Sequence, residues 1–115
     1  MRSRFRDLGA YRQAANISDD IHAAVGTWPP FERWTVGMQM VRSADSIGAN
    51  IAESSGRWHA PDKKRLLVIA RGSLYETEHW IERAEARGLS LPSMDGLDEI
   101  AWALAGLIKK PTPRS

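Results

Sequence analysis

The stretch FERWTVGMQMVRSADSIGANIAESS, residues 31–55, decides how this chain folds. Consecutive residues of a helix stand about 100° apart around its axis. On that wheel Trp34, Val36, Gly37, Met38, Met40, Val41, Ala44, Ile47, Gly48, Ile51 and Ala52 cover about 220° of the circumference, whereas a surface helix needs an apolar stripe of only about 100°. The helix is therefore expected to be central, or to bury a second face against another subunit. Gly37, Val41, Ala44, Gly48, Ala52 and Ser55 form a line of small residues along it. Side chains that small let another helix approach closely, and either packing within the chain or a subunit contact would use them.

The remaining narrow face carries Gln39, Ser43, Ser46, Asn50 and Glu53 at spacings of four, three, four and three, with Arg42 alongside. That is a heptad seam built of polar residues. Lysine is absent from it, and amides and hydroxyls suit a partly buried hydrogen-bonded seam that fixes register. A solvated face is the other reading. Asn50 and Glu53 are expected to bond Arg71 or Ser73 of the next helix, or to bond across a subunit boundary.

Punctuation divides the rest of the chain. Pro29-Pro30, Gly56 with Pro61, Gly88 with Pro92, and Pro111 with Pro113 break the helical pattern. Four helices are predicted, over about 7–26, 31–55, 62–87 and 94–109, and no segment alternates with the period of a strand. Helix 1 gathers Leu8, Tyr11, Ala14, Ala15, Ile17, Ile21 and Val25 on one face. Helix 3 gathers Leu66, Ile69, Ala70, Ser73, Leu74, Thr77, Trp80, Ile81 and Ala84; helix 4 gathers Leu97, Ile100, Ala101, Leu104, Leu107 and Ile108. Short loops between amphipathic helices predict an all-α, antiparallel up-down-up-down four-helix bundle, with residues 1–115 as a single domain.

Composition narrows the function classes. The chain has 115 residues, 43% of them hydrophobic, and no cysteine. It can build one modest core, which burial between subunits would enlarge. Disulfides and thiolate metal sites are excluded, which fits a reducing cytoplasm. The basic start MRSRFRDLGAYRQ leads into no apolar run, so it does not read as a secretory signal, and no stretch reaches the roughly 18 apolar residues of a membrane span.

No phosphate-binding loop, Gly-x-Ser-x-Gly or His-Glu-x-x-His motif is present. Glu76 and His79 have the spacing used by di-iron bundles, but such sites need two pairs of this kind and two further glutamates. Arg71, Ser73 and Glu76 lack a histidine to complete a triad and read as structural hydrogen-bonding residues. The expectation is a protein without catalytic residues, metal or cofactor.

Several blocks together carry a resemblance. They are Phe5-Arg6-Asp7-Leu8; Trp28-Pro29-Pro30-Phe31-Glu32-Arg33; Asn50-Ile51-Ala52-Glu53 on helix 2; and Ile69-Ala70-Arg71-Gly72-Ser73-Leu74-Tyr75-Glu76 on helix 3. The chain resembles the four-helix-bundle proteins encoded in intervening sequences of bacterial 23S ribosomal RNA genes. That family also includes accessory proteins of diversity-generating retroelements. The resemblance implies a ring of five copies and no catalysis. In the retroelement branch it implies binding to a reverse transcriptase and to nucleic acid. The chain departs from the pattern at Ser54-Ser55, where the family usually has Gly, and in the loop Gly56-Arg57-Trp58-His59.

The net charge is only +2, but it is unevenly spread. An up-down-up-down path brings Arg2, Arg4 and Arg6 of the N-terminus to the end that also holds Arg57, Trp58, Lys63, Lys64, Arg65, Lys109 and Lys110. The other end receives Asp19, Asp20, Glu32, Glu82 and Glu85. A basic tip bearing an exposed tryptophan is suited to RNA or DNA: the cations meet phosphates and the indole stacks on a base. Two readings follow, an adaptor for nucleic acid or a nucleic-acid enzyme, and a protein-interaction ring without nucleic-acid affinity. A solvated end, with Lys109 and Lys110 complementing the dipole of the last helix, would also account for the charges.

Overall fold

The computed structural model describes residues 8–110. All regular structure among them is helical, without strands. Helix α1 is Gly9–Val25. Helix α2 runs from 30 to 55 in three parts: the α-helical turn Pro30–Glu32, a π-helical stretch Arg33–Gly37, and the α-helix Met38–Ser55. Helix α3 is Ala60–Ala86 and α4 is Gly96–Lys109. No helix among the described residues is long and apolar enough to cross a membrane.

The sequence punctuation acts largely as expected, with shifts at the ends. Pro30 opens α2 and Pro61 lies in the first turn of α3, where a missing N–H costs nothing. Helix α3 therefore starts at Ala60, two residues before the predicted start. It ends on Gly88, whose φ of 73° lies in the left-handed region that favours glycine. The Gly88 and Leu89 N–H groups donate to the Glu85 and Ala84 carbonyls, closing that end. Helix α4 starts at Gly96 rather than 94, because Pro92 to Asp95 are spent on a turn in which the Leu97 N–H donates to Met94 O at 3.1 Å.

The core takes Ile17, Ile21 and Val25 from α1, and Val36, Met40, Ala44, Ile47 and Ile51 from α2. It takes Ala70, Leu74, Ile81 and Ala84 from α3, and Leu97, Ile100 and Leu104 from α4. Helix α2 packs against both α1 and α3, while α4 packs against α1 and α3. Trp28, in the loop between α1 and α2, is 4% exposed, and its Nε1–H donates to the Ser90 carbonyl at 2.9 Å. It thereby ties that loop to the one between α3 and α4.

Two faces differ from the helical-wheel reading. In α2, Trp34 and Met38 are 66% and 42% exposed, although the wheel put both in the apolar arc. For Trp34 the π stretch is one cause: it adds a residue to the turn, which rotates what precedes the following α-helix by about 100° relative to an unbroken α-helix. In α3, Ile69 is 42% exposed, because α2 covers its neighbours Ala70 and Ser73 but leaves Ile69 outside the contact.

Two members of the line of small residues, Gly37 and Gly48, meet residues of the same chain. A Cβ on Gly37 would stand 2.6 Å from Val25 Cγ1 and 3.4 Å from Trp28 Cε3, so this is the close approach that only glycine permits. A Cβ on Gly48 would meet Tyr11 and Ala14 of α1 at 3.6–3.8 Å, an ordinary contact. In the same groove, the buried Ser18 hydroxyl donates to Asp45.

Candidate functional site

The end of the molecule holding the predicted basic residues is a cleft of about 270 Å³. Leu8 borders it before α1, Ser54 and Ser55 at the end of α2, Lys63 and Lys64 at the start of α3, and Leu107, Ile108 and Lys110 at the end of α4. Its floor is apolar and three ammonium groups line its wall. Local sequence explains the geometry. Leu66 and Leu67 are buried, which turns the preceding Lys63, Lys64 and Arg65 outward on the first turns of α3. Lys109 and Lys110 are exposed where α4 ends before Pro111. None of these five cations has an ion pair among the described residues.

The loop between α2 and α3 adds Trp58, 98% exposed, with His59 beside it. Arg57 is already engaged: its Nη2 lies 2.5 Å from Glu53 Oε2, and that hydrogen bond, followed by the Glu53 charge, raises its pKa. Arg2, Arg4 and Arg6 lie outside the described residues.

Acidic groups gather elsewhere. Glu78, Glu82 and Glu85 of α3 and Asp95 and Asp98 at the start of α4 line one cleft, and Asp20 of α1 lines another that shares Pro92 with it. Loss of solvation, then the charges of Asp98 and Glu82, raises the Glu78 pKa. A carboxyl with a raised folded-state pKa favours folding below its unfolded value and loses that contribution as pH rises through the folded value. Glu78→Gln is therefore expected to raise the melting temperature at neutral pH. The difference from wild type should vanish below about pH 4. Equal melting temperatures at pH 7 would show that the acidic cleft does not strain the fold.

The polar seam is partly a contact between α2 and α3. Ser46 and Ser73 hydroxyls stand 2.9 Å apart, and Asn50 Nδ2 donates to Ser46 O and Oγ at 2.8 and 3.0 Å. Buried Ser43 donates to Met40 O and accepts from Thr77 Oγ1 at 2.9 Å. Thr77, read from the sequence only as an apolar-face residue, is thus the buried hinge of the seam: its one hydroxyl proton lies within reach of both Ser43 Oγ and, at 2.8 Å, Ser73 O, and serves one of them at a time. Its position four residues after Ser73 was the available signal.

Other parts of the seam fall apart. Asn50 reaches Ser73 only through Ser46. Glu53 bonds Arg57 of its own chain segment instead of Arg71, because the i,i+4 partner is nearer than the next helix. Gln39 and Arg71 are half-buried, Arg42 is exposed, and none of the three makes a hydrogen bond among the described residues. Glu76 accepts from Trp80 Nε1 at 3.0 Å, and His79 packs edge-on against Trp80. No three His, Cys, Asp or Glu side chains among the described residues gather as a metal site.

Since both the Glu53 and Arg57 side chains are about half exposed, their pair contributes little. Glu53→Ala should change stability by no more than about 0.5 kcal/mol, instead of the roughly 1–3 kcal/mol of a buried seam residue. Urea denaturation measures it, and a loss above about 1 kcal/mol would mean that Glu53 is buried between copies.

A family model described as 23S rRNA-intervening sequence protein matches residues 6–100. The chain belongs to that family. No curated protein matches it. The 23S rRNA-intervening sequence protein match spans α1, α2, α3 and the first turn of α4. It includes the serine seam and the Lys63, Lys64 and Arg65 cluster, while Lys109 and Lys110 lie beyond it.

Proposed function

We propose that this protein is a non-enzymatic adaptor of the cytoplasm. It forms a ring, with five copies as the expected number, and its basic end binds RNA or DNA. The chain path in this reading is antiparallel, up-down-up-down, so every copy in a cyclic ring turns its basic end to the same face. The observation that carries the reading is the cleft lined by the unpaired Lys63, Lys64 and Lys110, next in sequence to the unpaired Arg65 and Lys109 and to a loop that exposes Trp58 fully. Side chains of this kind neutralise phosphates and offer an indole face for stacking. The acidic cleft beside Glu78 and Glu82 would repel the same ligand and orient it.

A reverse transcriptase is the protein partner of this reading, as the retroelement branch of the resemblance implies. Nucleic acid held on a cationic face would present it to such an enzyme without any chemistry by the adaptor.

Purified protein titrated with labelled RNA and single-stranded DNA at low and moderate salt tests the proposal. Binding should weaken steeply as salt rises, with a slope of about −0.7 for each single-strand phosphate neutralised. Absence of binding at low salt would leave the second reading, a protein-interaction ring. The exposed Phe31, Trp34 and Met38 favour that reading independently of charge.

A further inference from the structure

Two exposed apolar patches lie on different helices. At the start of α2, Phe31, Trp34 and Met38 are 75%, 66% and 42% exposed. They follow one another at intervals of three and four residues along the π-containing start of α2. In the middle of α3, Val68, Ile69 and Tyr75 are 39%, 42% and 58% exposed.

Gly72 sits among the second group. It is exposed, and a Cβ there would meet nothing within 4 Å. Val68, Arg71, Gly72 and Tyr75 stand at i, i+3, i+4 and i+7, the four corners of a hole into which a side chain from a facing helix inserts. The glycine leaves the floor of that hole empty. Glycine is among the weakest helix formers, and this one, inside a 27-residue helix, gains no packing within its own chain.

We infer that the start of α2 in one copy docks on the Gly72 socket of the next copy, with Trp34 as the inserted side chain. The inference rests on the ring proposed above and names its contact surface. In a head-to-tail ring one patch of each chain meets the other patch of its neighbour. If a whole aromatic side chain carries about 150–250 Å², the two patches together offer roughly 600 Å². With about 60% of an interface apolar, that corresponds to about 1,000 Å² in all, the lower bound for a stable specific contact. Arg71 adjoins Gly72 at the socket and has no ion pair among the described residues.

Two variants test the contact: Gly72→Leu fills the socket and Trp34→Ala removes the knob. Neither position is in the core, so both proteins should keep wild-type helicity, while loss of assembly by itself lowers the melting temperature. Should Gly72→Leu lose helicity, Tyr75→Glu on the exposed rim takes its place. By light scattering at micromolar concentration, wild type should be a ring and each variant a monomer. An equimolar mixture of the variants should form a 1:1 dimer and stop there. The Gly72→Leu chain keeps a knob, the Trp34→Ala chain keeps a socket, and no third copy can add. A monomeric wild type would end the ring reading itself. A wild-type ring that survives in both variants would leave the ring standing and overturn this contact. Monomeric variants whose mixture stays monomeric would overturn the head-to-tail assignment.

Discussion

Trp28→Ala is expected to destabilise the protein by about 3–5 kcal/mol, the largest single effect on its fold. The indole is 4% exposed in a loop, where most residues face water. It packs into the core beside Val25 and Val36, and its Nε1–H donates to Ser90 O across the end of the bundle. Truncation removes both the packing and the bond that joins two loops far apart in sequence. Gly37 adds to the effect, since its missing side chain is what lets α2 lie against Val25 and Trp28. Urea denaturation followed by circular dichroism measures the loss. Trp28→Phe should retain much of the packing and lose less, chiefly through the unmet Ser90 carbonyl. A change below about 1 kcal/mol for Trp28→Ala would mean that the two loops are not coupled through this residue.

Simultaneous Lys63, Lys64 and Arg65→Glu substitution is expected to have the largest effect on binding. Each cation lost from a phosphate contact reduces the salt slope by about one, so three should reduce it by about three per bound copy. Repulsion by the new carboxylates adds to this, and affinity at low salt should fall more than about tenfold. The three side chains are exposed and unpaired, so the variant should fold and assemble as wild type does. Fluorescence anisotropy with labelled RNA and single-stranded DNA at two salt concentrations gives both quantities. Equal affinity and equal slope for the two proteins would remove nucleic acid from the functional account.

The helices were legible because their signals are local. Pro30, Pro61 and Gly88 act through their own backbone, and the apolar residues read on α1 and α4 repeat with the helical period and are buried or half-buried. The basic residues at the start of α3 and the end of α4 were legible for the same reason: their positions at helix ends are fixed by the adjoining loops. The seam was legible only as a set of residue types. Ser43 and Ser46 do face α3, but a heptad spacing does not distinguish a serine bonded to the next helix from a glutamate bonded four residues along its own.

The sequence by itself thus determined four helices, their breaks, most of the residues of their inner faces and the family that the blocks of α2 and α3 announce. Tertiary structure decided what those faces meet. It inserted the π stretch that helps turn Trp34 outward, set Gly37 rather than Gly48 at the tight crossing, and carried Trp28 to Ser90. It also left Gly72 open among Val68, Ile69 and Tyr75. The physical reason is that periodicity reports the direction in which a side chain leaves its own helix axis. Whether another helix, a loop or water lies in that direction depends on residues far away in the chain.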